Sequence, residues 1–206
     1  TMKQRIILLM MLSLSLFWGY AQKTLIYIDH SDRLLFNENK WPGCQILVGN
    51  VQFRQDNMLM FCDSAYFYNN KNYIIATGNI KMNQADSVYV YGDILYYDGN
   101  TKLARLRHNV RMENQDATLY TDSLNYDRKA NMGYYFNGGR IVDSTNVLVS
   151  MKGKYYPNND LAIFQNNVVL TNPDFVLTSD TLHYNTKSDI ATILGPSDIM
   201  YEDSTH

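Results

Sequence analysis

From residue 46 to residue 201, apolar and polar side chains alternate in short runs such as Val51-Gln52-Phe53, Ile80-Lys81-Met82, Val110-Arg111-Met112 and Leu124-Asn125-Tyr126. A period of two puts successive side chains on opposite faces of an extended chain, so each run predicts a β-strand with one buried face. The three-to-four spacing of an amphipathic helix is not found after residue 21. The expected fold class is all-β.

Two signatures recur along these runs. One is a small or polar pair, a β-branched residue and, two positions on, a second apolar residue. It stands at Gly49-Asn50-Val51-Gln52-Phe53, Gly78-Asn79-Ile80-Lys81-Met82, His108-Asn109-Val110-Arg111-Met112 and Asn166-Asn167-Val168-Val169-Leu170, with weaker copies at Gly139-Arg140-Ile141 and Ser197-Asp198-Ile199. The other is an Asp leading a run that ends in an aromatic: Asp63 to Phe67, Asp93 to Tyr97, Asp122 to Tyr126 and Asp180 to Tyr184, with a degenerate copy from Gly153. The first steps by 29, 30, 31, 27 and 31 residues and the second by 30, 29, 31 and 27. Two markers drifting together define a repeat domain over 46–206, which is expected to continue beyond the chain end.

The Gly-Asn pairs supply the φ > 0 conformations of tight turns, so each unit reads as a few short strands hinged there. The recurring Asp reads as an acceptor for local backbone beside a bend. Ser123 and Asn125 mark the polar face. A unit this small cannot bury its apolar side alone, so neighbours must stack over one elongated core. Residues 22–45 form a lead-in with a first strand at 25–28 and a turn at Trp41-Pro42-Gly43. Spacing leaves open whether the units fold as an antiparallel jelly roll or as parallel rungs of a stacked β-solenoid.

Residues 1–21 follow another pattern. Lys3 and Arg5 precede an apolar run over 6–18, and Gly19 and Ala21 are small residues suited to a cleavage point after Ala21, the layout of a secretory signal peptide. The run is shorter than the ~20 residues of a membrane-spanning helix, so cleavage is expected over anchoring. Export permits a disulfide between Cys44 and Cys62, and nothing in their spacing demands one. With 46% apolar residues in a chain of 206, there is ample material for one core, which excludes a disordered chain. The 17 tyrosines and 4 prolines fit pleated structure. The net charge is −2 and the basic residues are scattered singly, which argues against nucleic acid as a partner.

The alternation of turn strands such as Gly78-Asn79-Ile80-Lys81-Met82 with D-x-L-x-Y-D runs such as Asp93-Ile94-Leu95-Tyr96-Tyr97-Asp98 resembles the OstA-like (LptA) family of lipopolysaccharide-transport proteins. The resemblance covers about residues 46 to 201, with departures at Gly139-Arg140 and at 153–157. It implies an open β-jelly roll, two sheets in a V, in an exported periplasmic protein, with association with the outer membrane open to it. The apolar interior would take the acyl chains of lipid A, the lipid part of lipopolysaccharide, sheltering each methylene from water at ~0.8 kcal/mol. Exposed edge strands would add to other Lpt-type β-jelly-roll proteins or to a second copy. The residues that would line the groove are Val51, Phe53, Ile80, Met82, Val110, Met112, Val168 and Leu170, with Leu95, Tyr97, Leu124 and Tyr126 opposite. Transport in this form needs a trough open enough for fatty tails.

Catalysis would need a constellation, and none stands out. His30, His108, His183 and His206 are dispersed without metal-ligand spacing, so neither enzyme activity nor a metal or other cofactor is expected. His183 falls in the outward slot held by Tyr66, Tyr96 and Asn125 in other units. The Asp ladder follows the structural period, unlike a catalytic carboxylate pair. The alternative reading is an exported β-solenoid scaffold or glycan-binding module, with outward Tyr66, Tyr89 and Tyr96 as an aromatic platform.

Overall fold

The computed structural model describes residues 24–84, 88–114 and 117–201. The leader expected over 1–21 lies outside them, as do residues 202–206. Among the described residues the alternating runs form fifteen strands. They are β1 (Tyr27–His30), β2 (Arg33–Phe36), β3 (Gln45–Gln55), β4 (Met58–Tyr68), β5 (Tyr73–Gln84), β6 (Val88–Asp98), β7 (Leu103–Glu113) and β8 (Thr118–Asp127), then β9 (Met132–Tyr135), β10 (Gly139–Val142), β11 (Val147–Ser150), β12 (Lys152–Tyr156), β13 (Leu161–Asn172), β14 (Phe175–Asn185) and β15 (Ile190–Tyr201). All their pairings are antiparallel. Three pairs of short strands are halves of broken long ones: β1 and β2 lie end to end along β3, β9 and β10 along β8, and β11 and β12 along β13. The whole is an up-and-down meander, which sets aside the parallel-rung solenoid.

The Gly-Asn pairs do not end strands. Strands of 11 or 12 residues run through them, and each pair is a β-bulge in mid-strand. Gly49-Asn50 opposes Asp63, Gly78-Asn79 opposes Asp93, His108-Asn109 opposes Asp122, and Asn166-Asn167 opposes Asp180. Both members of every pair have positive φ, for example 78° at Gly78 and 47° at Asn79. Two residues against one bend the bulged strand and sharpen its twist. Because the bulges are in register from strand to strand, the sheet folds along their line into two facing leaves. Leaf one holds the strand halves that end in the turns near residues 70, 100, 129, 158 and 187, and leaf two the halves that end in the hairpins near 56, 144 and 173.

The recurring Asp has a different partner from the one expected. Its carboxylate accepts from the Asn side chain of the following strand: Asn50 Nδ2 to Asp32 at 3.0 Å, Asn79 to Asp63 at 2.8 Å and Asn109 to Asp93 at 2.6 Å. A Cβ at Gly49 or Gly78 would collide with the carboxylate of Asp32 or Asp63. Glycine is therefore favoured there twice over, for its φ and for its lack of a side chain, although His108 takes the equivalent place beside Asp93.

Register also corrects the repeat. Gly139 pairs with Thr121 as Val110 does from the other side, and Ser197 pairs with Ser179 as Val168 does. The equivalent residues are thus Val51, Ile80, Val110, Gly139, Val168 and Ser197, spaced by 29, 30, 29, 29 and 29, and the weak copies at Ile141 and Ile199 were placed two residues late. Met151, not Gly153, stands in the Asp slot. Its N–H donates to the Asn166 carbonyl at 3.0 Å, as the Asp32 N–H does to Gly49 at 2.9 Å. The signature is lost here for a packing reason. The buried Tyr135 ring fills the space, its hydroxyl 2.6 Å from Ser150 Oγ, and a Cβ at Gly139 would lie 2.6 Å from that ring. One at Gly153 would collide with it.

Two apolar clusters lie between the leaves, one from Ile26 to Tyr126 and one from Leu148 to Leu182. In the first, Phe53 of leaf two meets Phe67 of leaf one edge-on, with centroids 5.8 Å apart. Ser123 and Asn125 face outward as their alternation predicts, yet both are buried. Arg107 covers them, donating to Asn125 Oδ1 at 2.9 Å and lying over the Phe136 ring at 5.6 Å. Cys44 and Cys62 are buried free thiols. Burial pushes Cys62 up to about 12, so it stays an inert thiol at neutral pH.

Gly138 also has positive φ, but nothing lies within 4 Å of the Cβ position. Gly138→Ala is expected to lose about 1–2 kcal/mol, the cost of a left-handed L-residue. Gly78→Ala should lose at least about 1 kcal/mol more, because it also displaces Asp63. Urea unfolding of the two variants checks the difference.

Candidate functional site

The two leaves carry different interior side chains. Leaf one presents Leu47, Ala65, Phe67, Leu95, Tyr97, Leu106, Leu124 and Tyr126, and leaf two Val51, Phe53, Met58, Met60, Ile80, Met82, Val90 and Val110. Of the twelve residues expected to line a groove, Val51, Phe53, Ile80, Met82, Leu95, Tyr97, Val110, Leu124 and Tyr126 belong to the first cluster, and Met112 packs against it. Val168 lies in the second cluster with Leu170 against it, so the fold does not bring all twelve together. Tyr135 and the two glycines around it stand between the groups. Met58, Met60 and Val90 share the first cluster and were missed, although their own two-residue alternation marks them.

The trough is closed in this structure. Ten of the twelve are no more than 6% exposed and pack against one another, Met112 and Leu170 being the half-buried pair. A void of about 10 Å³ lies between Met58, Met82, Gln84, Val88, Val90 and Tyr126, space for about one water. The reason for closure is polar as well as apolar. Above the void, Tyr97 donates to the fully buried Gln55, and Arg128 Nη1 donates to Tyr97 Oη at 2.8 Å. Gln55 Nε2 donates across the leaves to the Gly99 carbonyl at 2.9 Å, while Gln84 Oε1 accepts from Arg128 Nε and Tyr126 Oη, both at 3.3 Å. Asp56, at the tip of leaf two, meets Lys102 Nζ at 2.7 Å and Arg128 Nη2 at 3.8 Å, both on turns of leaf one. Nothing in the local sequence announces this cluster, because its members come from three turns separated by tens of residues.

The outer surfaces differ again. On leaf two, Phe61, Lys81, Tyr91, Arg111, Tyr120 and Arg140 stand in direct cross-strand register, alternating aromatic with basic, and Arg111 lies 4.4 Å from the Tyr91 ring centre. Tyr66 and Tyr96 share a row on leaf one with Ile75 between them, whereas Tyr89 is on leaf two, so these three do not form one platform. His183 pairs with Ile163 and Thr192 in the outward row expected for it. Among the described residues no group of three His, Cys, Asp or Glu could hold a metal ion. At one end of the sheet β15 pairs with β14 along one side, and Ile190, Met200 and Tyr201 are exposed.

The family model for OstA-like proteins matches residues 23–180. No curated protein matches the chain. Among solved structures, LptH of Pseudomonas aeruginosa, described as the LptA-homologous periplasmic component of the conserved lipopolysaccharide transport device, is similar with a TM-score of 0.51 at 10% identity, over 56% of this chain and 95% of that one. At that identity the likeness concerns the fold, a β-jelly roll.

Burial pushes the Tyr97 phenol from the usual 10 up to about 12, against the opposing pull of Arg128. A phenol that holds its proton more tightly when folded stabilises the fold below pH 10, and that contribution is lost as the pH rises from 10 towards 12. Tyr97→Phe is expected to lower stability at neutral pH by about 1–3 kcal/mol, since Gln55 and Arg128 lose a buried partner. It should also flatten the fall in stability between pH 10 and 12. Denaturant titrations across that range check both effects.

Proposed function

Because the chain belongs to the OstA-like family, we propose that it is a periplasmic lipopolysaccharide-transport protein, which takes lipid A acyl chains between its two leaves and joins other jelly rolls of its kind through the β15 edge. The observation that carries this reading is the apolar seam between the leaves. Val51, Ile80, Val110 and Val168 line one wall and Leu95 with Tyr97, Leu124 with Tyr126 and Leu182 with Tyr184 the other, with a break at Gly139 and Gly153, so the seam lengthens along the sheet and matches no single small ligand. Methionines at 58, 60, 82 and 112 give one wall flexible, polarisable side chains that can repack around a hydrocarbon. Acyl chains find room when the leaves part along the bulge line. Among the described residues β15 pairs with β14 alone, and it exposes Ile199, Met200 and Tyr201, which supports strand addition to another chain. The family reading is one of transport and not of catalysis.

Tight packing of the interior and the aromatic–basic row on leaf two favour a second reading, an exported glycan-binding module. In that case polysaccharide would bind to the outer face and the interior would stay shut.

Met112 is half-buried, so Met112→Glu should fold while placing a charge on the seam. The purified mature chain is expected to capture lipopolysaccharide, and Met112→Glu to lower capture by at least about tenfold, roughly the ~1.4 kcal/mol or more expected when an acyl chain meets a carboxylate. Unchanged capture, or competition by polysaccharide alone, would favour the glycan reading. Separately, Ile199→Lys with Tyr201→Lys should abolish any self-association or capture of partner jelly rolls measured by native mass spectrometry, with lipid capture retained.

A further inference from the structure

We propose that Asp56, Lys102 and Arg128 form a phosphate-exchangeable clasp, which receives the phosphorylated sugar end of a lipid whose acyl chains enter between the leaves. This inference rests on the lipid-carrying reading and names the part of the lipid that opens the molecule.

Position comes first. Asp56 sits at the tip of the β3–β4 hairpin on leaf two, and Lys102 and Arg128 sit on two turns of leaf one, so their ion pairs tie the free ends of the leaves together. Gln84 lines the void beneath and also accepts from Arg128 Nε at 3.3 Å. A lipid with its tails in the seam would leave its polar end at this mouth.

The ion-pair contacts, more than the net charge, suit an anion. One carboxylate serves two cations. The other nearby acids are committed to their own turns: Asp98 accepts the Asn100 N–H at 2.8 Å, and Asp127 accepts those of Lys129 and Ala130, each at 2.9 Å. Lys129, whose Nζ donates to the Asn100 carbonyl at 3.0 Å, stands beside the same turns, so the local charges balance while Lys102 and Arg128 share one carboxylate. A phosphate brings more charge and more acceptor oxygens than Asp56 offers.

Lys102 is also out of place by the fold's own rule. Every leaf-one turn ends on a left-handed residue just before the next strand: Gly43, Asn72, Lys102, Asn131, Asp160 and Asp189, with φ of 65°, 53°, 60°, 47°, 50° and 56°. Gly, Asn and Asp tolerate that region, and lysine does so poorly. The one long side chain in the series is the one whose ammonium reaches across to the other leaf. Arg128 is fixed in advance, its side chain 4% exposed and its Nε and Nη1 held by Gln84 and Tyr97, while Nη2 has long contacts only, 3.4 Å to Asn57 and 3.8 Å to Asp56. A phosphate that takes Lys102 and Nη2 displaces Asp56, which removes the ionic tie between the hairpin and leaf one, leaves the Gln55 bonds to Gly99 and Tyr97 to be broken, and so eases entry of the tails.

The test compares capture of diphosphorylated lipid A with capture of the same lipid after enzymatic dephosphorylation, using the full mature chain. Wild type is expected to favour the phosphorylated lipid by about tenfold, a typical worth of one charge-assisted pair. Lys102→Gln should bring the ratio to about one and Lys102→Arg should keep it. Hydrogen exchange in the β3–β4 hairpin should quicken with phosphorylated lipid and not with millimolar inorganic phosphate. Equal capture of both lipids by wild type, or a loss of the same factor for both in Lys102→Gln, would overturn the clasp while leaving lipid carriage standing. An equal response to inorganic phosphate would make this a free-anion site and overturn the headgroup assignment. Capture of neither lipid would remove the lipid-carrying reading itself, and the clasp with it.

Discussion

The bend of the first half of this sheet depends on the contact between a bulge and a carboxylate. Two consecutive residues with positive φ sit opposite one residue of the next strand, and at three places an Asn side chain from the bulge holds the Asp of the preceding strand. A single bulge would only kink one strand. Repeated in register about every 29 residues, bulges form a line along which a whole sheet can fold, and a folded sheet has an inside without needing a second sheet to cover it.

That inside is unusual in being bounded by strand tips and sheet ends. The fold line closes one side of the seam, and the opposite side is closed by polar groups reaching between turns: Gln55 to Gly99, Arg128 to Tyr97, Lys102 to Asp56. Apolar packing holds the walls together along their length. Polar closure at the tips is different in kind, because it can be exchanged for another polar partner without exposing the core, as the proposed lipid carriage requires. Among the described residues β15 pairs with β14 alone, a separate feature on which the proposed strand addition rests.

Tyr135 shows how a repeat can be broken without breaking the fold. Its ring occupies the middle of the seam between Gly139 and Gly153, and its hydroxyl bonds Ser150. The unit there loses both the Gly-Asn bulge and the Asp. The sheet nevertheless keeps its register through Thr121, Gly139 and Ser150, so the six units stay in step. The two apolar clusters on either side are then distinct halves of one seam.

Alternation by itself determined the strands, and recurrence determined that successive units share a core. Both are local or periodic properties, and they survive in any fold that buries one face of a strand. The buried faces of Val51, Ile80, Val110 and Val168 were legible for that reason, as were the walls carrying Leu95 and Leu124. What local reading could not decide was whether a φ > 0 pair ends a strand or bends it, since Gly-Asn serves both and the choice is made by the Asp one strand away. The same limit misplaced the weak copies at Ile141 and Ile199, where Gly138 and Gly195 carry the positive φ three and four residues earlier. It also hid the burial of Ser123 and Asn125 beneath Arg107 and Phe136. The Asp56, Lys102 and Arg128 cluster was wholly a product of tertiary structure: three charged residues on three turns acquire a common role only when the fold line brings the tips of the two leaves together.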